Sequence, residues 1–593
     1  MSLSTRAFGT DDTERNPYLP RLMGVNGAVA TEHYLSAQAA ADILKAGGNA
    51  VDGAVAATLV EGVVNPNMYT LGGECPMVLH MAGSGRVVSV NGNTAAPELA
   101  TPQAFLDRGL KDLPSEGVLT AGPPAAFGAL VTALREFGRL TFADVSEGAR
   151  RLAREGFPVH KGLARQARYG INPLAEKFRT DWPTSAAVYL PGNEIPAEGT
   201  LLANPATADL LATLAEEERR AGGSRESALQ AVHDAFYKGD VASEIDRFVA
   251  ERDGLLRRSD LERFETFLED PATLEFHEFQ VFKCGPWNQG PVMLQTLAIL
   301  EDFDLKGMGH NSADYLHTVV EAAKLAYADR EQYYGDPRQV EVPLEGLLSK
   351  DYARLRAGLM DPARANGELR PGDPTSMSAT LPEEARLAGK SWGHGTVHVD
   401  VIDREGNMAA FTPSGGWLRS SPLIPALGFP LSNRLQTFYL GPDHHPNRIA
   451  PFRRPRTTIS PSLAFRRGAP WMVFGSMGGD QQDQWMLQFF LNRAVFGMSL
   501  QAAIEAPKFS SEHFPGFFAP HDFFPNRLRI EPLVGQPVLD ALAARGHVLD
   551  LAGNWSEGYL LAAERNPDTG MLEAGFDPRA EKSEVFPSFA LAW

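Results

Sequence analysis

Gly395-Thr396 opens the run Thr396-Val397-His398-Val399-Asp400-Val401-Ile402-Asp403. Val397, Val399 and Val401 fall on one face and His398 and Asp400 on the other, the two-residue period of a half-buried strand. Arg404-Glu405-Gly406-Asn407 reads as a turn, with Met408 to Thr412 as the returning strand. A threonine hydroxyl is a poor nucleophile unless a base stands beside it. Scission of the Gly395–Thr396 peptide bond would supply one. The freed α-amine of Thr396, with a reference pKa near ~7.7, is close enough to take the hydroxyl proton, and threonine with its own terminal amine is a known activated pair. Threonine also favours strands for conformational reasons alone, so the assignment needs support from elsewhere in the chain.

Gly475-Ser476-Met477-Gly478-Gly479 joins a predicted strand (Trp471 to Phe474) to a predicted helix. The backbone N–H groups of Gly478 and Gly479 can converge there on an anion, as an oxyanion hole requires. Other catalytic signatures are missing: there is no phosphate-binding Gly-Lys-Ser/Thr loop, no G-x-S-x-G elbow and no H-E-x-x-H helix. Asp443-His444-His445 sits in a Pro-rich loop without the i,i+4 spacing that aims two histidines at one ion, so a solvated loop is expected. Attack by a threonine that its own amine activates would need neither metal nor organic cofactor.

These groups must be carried by a large body. The chain has 593 residues, 44% hydrophobic and 22% charged, an ordinary globular composition. A net charge of −18 argues against nucleic acid or an anionic membrane as partner. Cys75 and Cys284, the only two cysteines, make neither a disulfide framework nor a metal site. Residues 1–26 read as a polar extension without a secretory signal, and no run of 18 apolar residues occurs, so a cytoplasmic location is expected.

Helices are expected at Tyr34 to Ala46, closed by Gly47-Gly48, and at Asp52 to Val64, whose alanines suit close packing. A hairpin is expected from Pro76 to Val90, turning at Gly83-Ser84-Gly85. Helical patterns dominate 123–155 and 206–270; Phe276 to Phe282 is strand-like, and helices follow at Gly290 to Leu300 and Ala313 to Tyr327. The Pro- and Gly-rich segment 361–395 reads as an exposed, mobile linker ahead of Thr396. Strands recur after it at 396–412, 459–466 and 470–475, then near 527–531 and 558–563, with helices at 481–496 and Gln536 to Arg545. Helices first and strands later indicate a layered α+β body.

Four segments in order resemble the γ-glutamyltransferase family of N-terminal-nucleophile hydrolases. They are residues 41–53 (ADILKAGGNAVDG), residues 320–337 (VEAAKLAYADREQYYGDP), Gly395-Thr396-Val397-His398, and Gly475 to Gly479. The resemblance covers the chain from about Gly27 to its end. It implies a four-layer αββα sandwich made as one precursor that cuts itself before Thr396. The products would be a large subunit, 27–395 with its extension, and a small subunit, 396–593, interleaved as one heterodimer that is open to further dimerisation. That replaces the division into about four domains which length alone suggests. Thr396 would serve in self-cleavage and then in catalysis. Ser414 stands at the place of a second, orienting threonine, and Gly478 and Gly479 match the oxyanion glycines.

The substrate clamp departs from the family's glutathione-using members. Asn93 stands ahead of Ala96-Pro97 where they carry a carboxylate-binding arginine, Thr437 where they carry an amine-binding aspartate, and Gly416 where they carry an asparagine. Thr457-Thr458 replaces their paired serines and keeps both hydroxyls. Losing a bidentate arginine forfeits a few kcal/mol if the contact is buried, unless Arg434 or Arg456 compensates; as surface charges neither would. The loop from Phe438 to Pro455 is also shorter than their lid. In these respects the chain resembles the branch that includes an oxamate amidohydrolase and acylase-like members, as do Asn433-Arg434 and Pro442 to Asn447. The expected activity is amide hydrolysis on a small γ-glutamyl or related amide, with water favoured over an amine acceptor. A true transpeptidase using glutathione with a rearranged clamp is the first alternative, and a catalytically silent scaffold the second.

Overall fold

The computed structural model describes residues 17–381 and 395–593. Two seven-stranded sheets lie face to face. The first runs in the order Leu22–Gly24, Leu572–Phe576, Leu560–Arg565, Ala469–Ser476, Ser462–Arg466, Phe279–Lys283, Ala272–Phe276. The second runs Phe589–Ala592, Gly27–Thr31, Val399–Asp403, Met408–Phe411, Met77–Met81, Arg86–Asn91, Phe267–Glu269. Neighbours in both are antiparallel. Small side chains such as Ala28, Ala30, Ala410, Ala563 and Ala574 fill the space between the sheets together with Ile402, Leu463 and Val473. Helices close both outer faces. Tyr34–Lys45, Ala50–Val64, Ala125–Phe137 and Phe142–Glu155 pack on the second sheet, and Pro291–Leu300, Ala313–Tyr333 and Gln482–Ala494 on the first. This is the expected αββα sandwich.

The predicted helices at the start form with small shifts. Asn49 and Asp52 cap Ala50–Val64 reciprocally, satisfying amides that a helix start leaves unpaired. Almost the whole of that helix is buried.

Four expectations are corrected. Strands are not concentrated after Thr396: among the described residues each side of that position supplies seven strands to the two large sheets. Phe276 to Phe282 is not one strand but the junction of two, Ala272–Phe276 and Phe279–Lys283, reversing at His277 with φ +53°. The strand after Thr396 is not half-buried; Val397 through Ile402 are all buried, because helices cover the valine face and the other sheet covers the His398 face. Residues 361–381 are not a free linker. Leu369 joins an apolar cluster, Gly372 N donates to Asp329 Oδ1 (2.8 Å), and Arg356 donates to the Arg370 carbonyl. The rest of that segment, 382–394, lies outside the described residues.

Candidate active site

Val399–Asp403 is an inner strand of its sheet, with Val399 opposite both Thr31 and Phe411. Its hairpin closes where Asp403 Oδ1 accepts from Glu405 N and Asn407 N and Gly406 takes φ +88°, the predicted turn. Just before the strand, Thr396 pairs with Ser414 as an antiparallel bridge, and Val397 N donates to the Pro413 carbonyl (2.9 Å). The hydroxyls follow from that pairing: Thr396 Oγ1 lies 3.1 Å from Ser414 Oγ, and Thr396 is 3% exposed.

Ser414 is held from two sides. Its backbone exchanges hydrogen bonds with Glu74 (2.7 and 2.9 Å), and its Oγ accepts from Arg434 Nη2 (2.9 Å). Arg434 is in turn paired with Glu74 Oε2 through Nε (3.0 Å) and Nη2 (2.9 Å). Both partners are buried, so Arg434 is no surface charge. Burial pushes the Glu74 carboxyl up, against the pull of Arg434. Glycines make this approach possible. A Cβ on Gly73 would meet the Ser414 carbonyl at 2.2 Å, and one on Gly72 the Pro430 carbonyl at 2.0 Å. Gly415 (φ +87°) and Gly416 (φ +60°) then turn the chain so that the Trp417 indole donates to the Gly395 carbonyl.

The second sheet's strand meets the first sheet beside this site. The His398 ring lies against Gly475, where a Cβ would sit 2.2 Å from Cε1. His398 also contacts Thr412 Oγ1 through Nδ1 and Asp400 Oδ1 through Nε2, each at 2.9 Å. Burial raises the Asp400 carboxyl to about 6, with His398 pulling the other way. From the His398–Gly475 contact, one strand leads back two residues to Thr396 and the other forward three to Gly478. Gly478 (φ +124°) and Gly479 (φ +59°) form the turn, and among the described residues neither amide N–H has a hydrogen-bond partner. Gln289 Nε2 donates to the Gly479 carbonyl (3.2 Å) and Arg330 pairs with Asp480. Arg330 and Glu331, in the late motif of the large portion, thus hold the glycine turn, and Glu331 in turn holds buried Arg456 (2.7 Å).

A cavity of about 430 Å³ opens at Gly478, walled by Trp485, Tyr169 and Tyr559 and bordered by Arg527 and Arg529. Both arginines pair with Asp550, and Arg529 also with Glu557 (2.6 Å). Burial raises Glu557 to about 7. The volume is in the range of small-molecule sites.

The remaining clamp positions are buried and engaged with backbone. Asn93 Nδ2 donates to the Pro455 carbonyl (2.6 Å) and Thr437 Oγ1 to the Arg434 carbonyl (2.8 Å). Thr457 bridges Asn288, while Gln289 N donates to its carbonyl (2.8 Å), which ties Thr457-Thr458 to the residue that holds Gly479. His445 corrects the solvated-loop expectation. His444 is exposed, but His445 is buried and stacks on Tyr439 at 3.8 Å. A different buried group, His317, Glu321 and His547, brings metal-binding atoms together, but Lys324 already pairs with Glu321 there. Cys75 and Cys284 are free and buried. Sequence reasoning missed Glu74 and Trp417; the only signals were the Gly72-Gly73 and Gly415-Gly416 pairs before them.

Two facing sheets between helices, with a buried threonine leading into an inner strand, define an N-terminal-nucleophile hydrolase architecture. The sequence profile of the gamma-glutamyltranspeptidase family matches residues 36–586, and the chain belongs to that family. The glutathione hydrolase proenzyme of Escherichia coli is 30% identical over 573 residues, 93% of this chain and 90% of that one. Among solved structures, LmbA2991HD is 40% identical with a TM-score of 0.91, covering 98% of this chain and all of that chain. A cephalosporin acylase from Bacillus halodurans is 28% identical with a TM-score of 0.84 and covers 98% of each chain. The protein is a gamma-glutamyltranspeptidase-like amidohydrolase, and among its described residues no helix is long and apolar enough to cross a membrane.

Proposed function

We propose that the chain cuts itself between Gly395 and Thr396 and that the freed Thr396 then hydrolyses a small amide in the cytoplasm. The observation that carries this reading is the placement of Thr396 Oγ1 3.1 Å from Ser414 Oγ, two residues from the His398–Gly475 contact that leads three residues on to Gly478 and Gly479, whose amides have no partner among the described residues. Thr396 Oγ attacks the substrate carbonyl and its α-amine takes the proton. The Gly478 and Gly479 N–H groups stabilise the oxyanion, the amine leaves, and water releases the acyl group from the threonyl ester. Similarity to a proenzyme and to an acylase supports both the processing and the hydrolysis.

Hydrolysis is favoured over transfer, and the acyl group is one without a free α-amino-acid end. At the clamp Arg434 is neutralised by Glu74, and Asn93 and Thr437 already donate to backbone. Purified protein should run as two fragments, the smaller beginning at Thr396. Turnover of γ-glutamyl, glutaryl and oxamate-like anilides, each with and without glycylglycine, then decides the reaction. Strong acceptor stimulation on the γ-glutamyl substrate would instead indicate a transpeptidase. A single 64.4 kDa band without turnover would indicate a silent scaffold.

A further inference from the structure

The carbonyl oxygen of Gly395 accepts two hydrogen bonds, one from Ser414 Oγ (3.0 Å) and one from the Trp417 indole Nε1. Both donors are buried. The carbonyl belongs to the bond whose scission would free Thr396, and it is far in role from the Gly478–Gly479 turn, where Gly478 lines a cavity. We infer that Trp417 and Ser414 form a second oxyanion site, used once, for cleavage of the chain's own Gly395–Thr396 bond. The inference rests on the self-cleaving reading proposed above.

The proton count around Ser414 assigns the roles. A carbonyl only accepts, so the single Ser414 hydroxyl proton points to Gly395 O. Ser414 Oγ therefore accepts from Arg434 Nη2 (2.9 Å) and from the Thr396 hydroxyl (3.1 Å). As Thr396 Oγ bonds to the Gly395 carbonyl carbon, its proton passes to Ser414 and the Ser414 proton passes to the carbonyl oxygen. The Trp417 N–H carries the charge that builds on that oxygen before the proton arrives. The adduct then collapses. The carbon–nitrogen bond breaks, the hydroxyl proton returns through Ser414 to the Thr396 nitrogen, and Gly395 is left as an ester on Thr396 Oγ. Water hydrolyses this ester to a Gly395 carboxylate and the free Thr396 hydroxyl, beside the amine already released when the carbon–nitrogen bond broke.

The surroundings hold this geometry. Trp417 is packed by Phe517 and Phe518, and the Arg434 guanidinium lies 4.9 Å over its ring, so the indole has little freedom to turn away. On the other side, a Cβ on Gly395 would lie 2.3 Å from Met68 Sδ, so the scissile residue is pressed into place. Trp417 touches the reacting carbonyl and is a catalytic residue of self-cleavage; Arg434 and Glu74 act through Ser414 and are positioning residues.

The test follows conversion of the full-length 64.4 kDa chain to fragments after synthesis, in the wild type, in Trp417→Phe, and in a chain with β-(3-benzothienyl)alanine at position 417. The last keeps the indole's shape and replaces its N–H by sulfur, so it folds even if Trp417→Phe does not. Loss of one oxyanion donor slows such a step by about 10²–10³-fold, and that slowing is expected in each folded variant, with thermal melting within a few degrees of wild type. Wild-type conversion in either folded variant overturns the inference and leaves the self-cleaving reading standing. A wild-type chain that is never cut before Thr396 overturns both.

Discussion

The His398 imidazole packs against the α-carbon of Gly475 so closely that three of its ring atoms would lie 2.2–2.4 Å from an added Cβ. One contact therefore sets the distance between the two sheets at the point where Thr396 and the Gly478–Gly479 turn diverge from it. Gly475→Ala should force the sheets apart or the ring out of its bonds with Thr412 and Asp400. Overpacking of this kind costs about 1–3 kcal/mol, and the displacement falls on both halves of the site. The expected result is a lower melting temperature together with slow appearance of the two fragments. A variant that melts and matures like wild type would show that this contact does not gauge the site.

Arg434 and Glu74 form a buried pair whose partners fail differently when removed singly and together. Arg434→Met leaves the Glu74 carboxylate buried without its cation, at a cost of about 3–5 kcal/mol. Adding Glu74→Gln should restore most of that stability, since a neutral pair replaces the charged one. Maturation should not recover, because Ser414 Oγ has lost the donor at 2.9 Å that fixes it. Urea unfolding of both variants measures the first effect, and the rate of fragment formation the second. Recovery of both in the double variant would mean that the pair serves stability alone.

The parts of this site differ in how far they could be read from sequence. Thr396 and the glycine turn were legible because each carries its chemistry in local residue types: a hydroxyl after glycine, two amides without side chains. Asn93 and Thr437 were visible as departures at clamp positions, but what they donate to was not, since Pro455 and the Arg434 carbonyl approach from distant parts of the chain. Glu74 could not be found, because it acts on a serine 340 residues later through a backbone bridge that only sheet pairing creates. The burial of His398 and Asp400 was missed for the same reason. A period of two shows which residues share a face, but not that a second sheet covers it.

Glu61 offers a test of burial by pH. It lies inside the Ala50–Val64 helix, accepting from Ser36 Oγ and from Asn65 Nδ2 (2.6 Å), and burial lifts its carboxyl to about 7. A carboxyl raised in the folded state holds its proton longer there than in the unfolded chain, where it titrates near ~4.3. The folded state therefore loses stability as pH rises from the unfolded value towards about 7, by about 4 kcal/mol at most, and is level above that. Glu61→Gln cannot titrate. Its urea midpoint relative to wild type should rise between pH 4.5 and pH 8, whereas a constant difference across that range would show that Glu61 titrates at its ordinary value.

Gly478 combines two requirements that a pair of substitutions can separate. Its φ of +124° with ψ of 16° suits glycine alone, and a Cβ would meet Trp485 Cζ3 at 2.4 Å. Gly478→Ala should therefore move the turn and its amides, lowering kcat on a hydrolysed anilide by about 10²–10³-fold. Trp485→Leu added to it frees the space the methyl needs but leaves the backbone conformation forbidden. If the turn acts through its amides, the double variant stays as slow as the single one while regaining thermal stability, because steric room returns and amide direction does not. Recovery of kcat in the double variant would trace the defect to the wall of the cavity instead. An undiminished kcat in Gly478→Ala alone would remove this turn from the reaction altogether.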